Sequence, residues 1–235
     1  MEKTLADRII LVTGASRGLG YAAARGLAKA GAHVVAVART QGGLEELDDE
    51  IRNDGGSATL VPLDLRDGPG IDRLGGALFE RFARLDGFLS NAGVLGALTP
   101  LSHLPPKTFE ELVAVNLTAN ARLIRSLDPL LRASDGARVL FISSGAAQKH
   151  TPFWGAYAAT KAALESLALT YAAECEGTKI AINIFNPGPT RTAMRAKAFP
   201  GEDPNSLTAP EDHVARIVEM LSPSYAQTGQ VVRAG

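Results

Sequence analysis

Three side chains in the second half of the sequence have the types and spacing for acid–base chemistry: the Ser144 hydroxyl, the Tyr157 phenol and the Lys161 ammonium. Tyr157 and Lys161 are four apart in the run Tyr157-Ala-Ala-Thr-Lys161, so a helix would project both from one face, one turn apart. A phenol at its ordinary pKa of ~10 exchanges protons poorly at neutral pH. A unit positive charge at ~4 Å, in an effective dielectric of ~20, contributes about 4 kcal/mol, or roughly three pKa units. Lys161 is placed to supply that charge. Ser144 is placed to hold a substrate oxygen near the phenol, the geometry that general acid catalysis needs. Such Tyr/Lys pairs also occur on exposed helices, so the elements around them must decide whether the three groups meet.

Ser144 follows the apolar run Arg138-Val-Leu-Phe-Ile-Ser143, which reads as a strand covered on both faces and puts the hydroxyl at the strand's carboxyl end. Open α/β sheets keep their ligands there. Comparable runs are Arg8–Thr13, His33–Ala38, Ala58–Leu63, Gly87–Ser90, Lys179–Phe185 and Gly229–Val232. Helical patterns lie between them, at Leu19 to Gly31, Leu44–Asn53, Ile71–Arg84, Pro105 through Asn116 to about Leu131, Tyr157 to about Glu176, and Pro210–Leu221. This alternation predicts one α/β domain over 1–235, a doubly wound parallel sheet with helices on both faces. Thr190–Leu207, rich in Pro, Gly, Ala and charge, breaks the rhythm and is expected to be a mobile flap or small lid.

The first strand runs directly into Gly14-Ala-Ser-Arg-Gly18-Leu-Gly20. Glycines between a buried strand and a helix let backbone amides approach a pyrophosphate and let the helix pack on the strand, as in a Rossmann dinucleotide fold. Glycines that merely end a strand would look the same. At the end of the second strand, where a carboxylate would receive the ribose hydroxyls of NAD, stand Ala38 and Arg39. Arg17 and Arg39 can clamp a 2′-phosphate instead, which favours NADP(H), with NAD(H) still open. The alternative is that both are solvated surface arginines.

The totals narrow the partners. A net charge of −1 gives no electrostatic reason to expect nucleic acid or an anionic membrane. The single cysteine, Cys175, cannot form an internal disulfide, which points to a reducing compartment. The four histidines lack paired spacing, so no metal is expected. The first residues include acids, and no apolar run approaches ~18 residues, so the expectation is a soluble, cytoplasmic protein.

Thr13 to Gly20, Asp64-Leu65, Asn91-Ala-Gly93, Asn116, Ser144, Tyr157 to Lys161 and Asn186-Pro-Gly188 occur in that order between Arg8 and about Val232. Together they resemble the short-chain dehydrogenase/reductase family in its compact single-domain form. The resemblance implies a Rossmann-type sheet of order 3-2-1-4-5-6-7 and a carbonyl reductase or alcohol dehydrogenase. Ser144, Tyr157, Lys161 and Asn116 would be catalytic, with Asn116 anchoring a water that links Lys161 to solvent. Gly14, Ser16, Arg17, Gly18, Leu19 and Gly20 would carry the cofactor's phosphates, Asp64 and Leu65 its adenine, and Asn91, Ala92 and Gly93 its adenosine ribose. Lys161 would hold the nicotinamide ribose, and Pro187, Gly188, Thr190 and Thr192 the nicotinamide end. Ser90 stands where an asparagine often braces the sheet. Phe153 and Trp154 suggest an apolar substrate wall facing Leu95, Met194 and Phe199, although they would also suit the helix start or a subunit contact. Pairing of the helices around Asn116 and Tyr157 would give a homodimer or homotetramer. A regulatory or scaffold protein that binds a dinucleotide without turnover is the competing reading.

Overall fold

The computed structural model describes residues 3–234; Met1, Glu2 and Gly235 lie outside them. Seven strands form one sheet: β1 (Ile9–Thr13), β2 (His33–Ala38), β3 (Ser57–Pro62), β4 (Gly87–Ser90), β5 (Arg138–Ile142), β6 (Ala181–Asn186) and β7 (Val231–Arg233). Their order is β3-β2-β1-β4-β5-β6-β7, and every pairing is parallel. The helices are α1 (Gly18–Lys29), α2 (Gln41–Asn53), α3 (Gly68–Phe82), α4 (Pro106–Val113), α5 (Ala119–Arg132), α6 (Gly155–Glu174), α7 (Ala193–Ala198) and α8 (Val214–Leu221).

Register makes the two cores. Val35, Leu11, Phe88, Val139 and Ile182 are aligned across five neighbouring strands, and all face α3, α5 and α6. The next row, Ala36, Val12, Leu89 and Leu140, faces α1, α2 and α8. Side chains alternate sides along a strand, so strands that are apolar at every position need a helical layer on each face. The layers leave the carboxyl ends of the strands free to carry loops: the glycine loop follows β1, Arg39 follows β2, Asp64 and Leu65 follow β3, Asn91 to Gly93 follow β4, Ser144 follows β5 and Pro187 to Thr192 follow β6.

Three expectations change. The helix expected to run unbroken from Pro105 to Leu131 is divided by a π turn, Ala114–Thr118, between α4 and α5. Helix α2 begins at Gln41, ahead of its apolar periodicity; a Cβ on Gly43 would lie 2.8 Å from the Ser16 carbonyl oxygen, so this first turn abuts the glycine loop. The run expected to be an irregular flap holds α7, a 3-10 turn at Pro204–Ser206 and a parallel bridge from Thr190 to Thr208. Thr192 caps α7 by accepting from the Arg195 amide at 3.2 Å, and Arg195 binds Glu202 through Nε at 2.6 Å and Nη2 at 2.5 Å.

Candidate active site

The glycine loop and the Asn91 segment form one piece. Gly14 has a φ of +67°, and a Cβ there would lie 2.9 Å from the Ala92 Cα. On Gly20 it would lie 2.3 Å from the Gly14 carbonyl oxygen. No side chain fits at either position without moving backbone, so both the turn and the helix entry depend on glycine. Asn91 Nδ2 donates to the Thr13 and Gly14 carbonyls at 3.0 and 3.3 Å, while Thr13 Oγ1 accepts from the Asn91 and Ala92 amides at 3.0 and 3.1 Å. The result is a cradle at the N-terminus of α1, the arrangement that binds phosphate groups. Arg17 and Arg39 lie exposed at the start of α1 and the end of β2, and neither forms an ion pair among the described residues.

At the far end of the cradle, Asp64 is clamped by its neighbour. Arg66 donates to it through the backbone amide at 2.9 Å, through Nε at 3.1 Å and through Nη2 at 2.5 Å. These bonds hold the Asp64 carboxyl below its usual range. An adenine amino group reaching Asp64 would share an oxygen with Arg66. Leu65 is half-buried beside it.

Tyr157, Lys161 and Ser144 do come together, though not as the spacing alone suggests. The helix α6 buries Tyr157 and Lys161, while Ser144 caps the 3-10 turn after β5 by accepting from the Ala146 amide at 3.2 Å. Burial raises the Tyr157 phenol, and the Ser144 hydroxyl beside it acts in the opposite direction. Lys161 was expected to be the group that lowers the phenol. Its Nζ instead donates to the Ile142 carbonyl at 2.9 Å and sits 5.9 Å from the Tyr157 ring centroid. A buried ammonium takes the nearest strong acceptor, because leaving its protons unpaired costs more. Burial also pulls Lys161 down to about 8, opposed by Glu165.

Asn116 occupies the π turn and is fully buried. Its Nδ2 donates to the Val94 carbonyl at 2.9 Å and to Thr160 Oγ1 at 3.0 Å, and its Oδ1 accepts from the Val94 amide at 2.8 Å. Both amide hydrogens are committed, so a water held here must donate to an Asn116 oxygen. π turns inside helices are frequent at functional sites, and this one points a locked side chain at the loop after β4. A Cβ on Gly93 would lie 3.3 Å from Asn116 Oδ1 and 3.7 Å from Lys161 Nζ, so the three positions meet. Ser90 donates to Asn120, which in turn donates to the Asn116 carbonyl at 2.9 Å; serine thus still braces this end of the sheet.

The loop after β6 closes the other side. Gly188 turns at a φ of +70°, and its amide donates to Asn186 Oδ1 at 3.0 Å beyond Pro187. Thr192 lies against the glycine loop, its methyl 3.4 Å from a Cβ built on Gly18. Thr190 is braced by His213 at 3.1 Å, a buried histidine whose position nothing in its spacing announced. Trp154 stacks edge-on against Tyr157 at 6.0 Å and tilted against Phe199 at 5.6 Å, with Leu95 and Met194 in the same cluster. Phe153 leaves this wall. At a φ of +73° and 57% exposed, it lines an outer groove of about 590 Å³ with Leu101, His150, Ala158 and Ala162.

The short chain dehydrogenase family model matches residues 8–203 of the sequence. The chain belongs to that family. Among its members, the uncharacterized oxidoreductase YciK of Escherichia coli K12 is 39% identical over 214 residues, covering 90% of this chain and 84% of YciK. A short chain dehydrogenase from Pseudomonas syringae superposes with a TM-score of 0.96 at 40% identity, covering 100% of this chain and 97% of that one. Another, from Shigella flexneri and complexed with NADP, gives 0.95 at 36% identity, covering 99% of each chain. The sheet order expected of this family is the order found.

Proposed function

We propose that the chain is an NADP(H)-dependent oxidoreductase that interconverts a carbonyl and an alcohol on a small or medium, partly apolar substrate. The observation that carries this reading is the convergence of Ser144, Tyr157 and Lys161 beside a glycine cradle that admits no side chain. Glycine-loop amides, Arg17, Arg39, Asn91, Lys161 and Thr192 would hold the dinucleotide. Bound there, the nicotinamide supplies or accepts a hydride. The NADP complex of the Shigella relative supports the same cofactor here.

Tyr157 passes its proton to the substrate oxygen in the reductive direction and takes it back in the oxidative one. Ser144 has one hydroxyl hydrogen, which it turns to the substrate oxygen when substrate is bound and to the phenol when it is not. Lys161 needs an acceptor in its buried setting, which the Ile142 carbonyl provides here, and it would hold the ribose hydroxyls of a bound cofactor. Trp154, Leu95 and Met194 keep water from the reacting oxygen, and α7 with Phe199 is the lid above them. Tyr157→Phe preserves this packing. It is expected to leave NADPH affinity within about twofold of wild type and to lower turnover by orders of magnitude, the scale of losing a general acid. Undiminished turnover in a screen of ketones, aldehydes and alcohols would refute the assignment, and wild-type binding without turnover would favour a regulatory dinucleotide-binding role.

A further inference from the structure

Glu165 stands on α6 one turn beyond Lys161, half-buried. Its Oε1 accepts from Ser143 Oγ at 2.6 Å and its Oε2 from Gln148 Nε2 at 3.4 Å. Gln148 accepts in turn from Arg233 at the end of β7. Ser143 directly precedes Ser144, so one carboxylate ties together the helix beneath Lys161, the turn that carries Ser144 and the last strand.

The groups around the Lys161 ammonium offer it little other charge. Tyr157 faces it from α6, the Ile142 carbonyl from β5, and the Gly93 backbone with the Asn116 amide from the loop after β4 and the π turn. Of these only Tyr157 titrates, and its anion forms only when it has given up a proton. Glu165 is the carboxylate whose field reaches the ammonium, and Arg233 is the cation joined to the same network.

We propose that Glu165 is a positioning residue that keeps Lys161 charged in its buried setting and fixes the Ser143–Ser144 turn beside Tyr157. Removing an ammonium from water favours loss of its proton, and a carboxylate one helical turn away opposes that loss. The consequence for chemistry rests on the roles given above to Lys161 and Ser144, but the effect on Lys161 itself does not.

The test reads Lys161 without cofactor. In protein labelled with 13C-lysine, with the Lys161 resonance assigned through Lys161→Arg, wild type and Glu165→Gln are titrated side by side. Glutamine keeps the shape and can still accept from Ser143; besides the charge it gives up only the long 3.4 Å bond from Gln148, which lies on the side away from Ser143. The Lys161 midpoint is expected to fall by about one pH unit, a tenfold change in its protonation equilibrium, and to return towards wild type in Glu165→Asp. The alkaline loss of NADPH affinity, followed by cofactor fluorescence, should move down in pH by the same amount. An unmoved Lys161 midpoint, or NADPH affinity weakened equally at every pH, overturns the proposal. If wild type binds no NADPH, the oxidoreductase reading fails, while the lysine titration still decides the role of Glu165.

Discussion

Lys161→Met converts the buried charge of the site into a stability measurement. Lys161 titrates at about 8 in the folded protein against an ordinary 10.5. At ~1.36 kcal/mol per unit, charging this lysine costs the folded state about 3 kcal/mol more than the unfolded state. The sign follows from proton counts. Below pH 8 both states hold the proton, so the penalty is present in full. Between 8 and 10.5 the unfolded chain binds more protons, so wild-type stability gains from this site as pH rises. Above that window nothing remains. Methionine has no proton to lose, and its stability lacks this component. The bond lost to the Ile142 carbonyl adds an offset that is the same at every pH, so the change across the window carries the magnitude. Urea unfolding of both proteins from pH 7 to 10.5 should show wild type gaining about 3 kcal/mol on Lys161→Met, equivalent to roughly 6–12 °C in Tm for a chain of this size. Parallel curves would show that Lys161 is not strained by its burial, and would remove the physical basis for Glu165 as its counterweight.

Two further outcomes test the cofactor and the assembly. Arg39→Asp should weaken NADPH by about tenfold to hundredfold, the scale of one charge-assisted hydrogen bond, while leaving NADH nearly unchanged; titration of both cofactors checks this, and equal losses would remove Arg39 from the 2′-phosphate site. The outer groove on α6, with Leu101 67% and Phe153 57% exposed, is the apolar surface that pairing of two copies would cover. Light scattering at micromolar concentration should therefore give a dimer or tetramer, and Phe153→Asp should shift it towards monomer; a monomeric wild type would count against pairing.

The sheet was legible because β1, β2, β4 and β5 are almost unbroken apolar runs, and only a sheet covered on both faces buries nearly every residue of such a run. The glycine loop was legible because Gly14 and Gly20 are forced by backbone contacts, and Gly18 by a φ of +57°, that other residue types do not tolerate. What escaped was set by partners far away in sequence. Nothing local marks the π turn: Asn116 is held by Val94 and Thr160, 22 and 44 residues distant. The Lys161 acceptor is a carbonyl at the end of β5, invisible to any reading of side-chain types. Glu165 had a signal, its place one turn beyond Lys161, but that spacing has meaning only once Lys161 is known to be buried. Phe153 and Trp154 are adjacent and equally apolar, yet the positive φ at Phe153 turns one ring outward while the other packs on Tyr157.

The turn at Ala114–Thr118 also sets a phase. Each residue of a regular α-helix carries the next side chain about 100° round the axis, so the face presented at one end fixes the face presented at the other. Leu112, in α4, belongs to the cluster around Tyr157, whereas Leu123, Leu127, Leu130 and Leu131, in α5, belong to the sheet core against α3. The wider turn uncouples these two demands. It works as a one-residue spacer in what would otherwise be a single rod, so the reactive pocket can be retuned through α4 without re-aiming the leucines that hold the sheet.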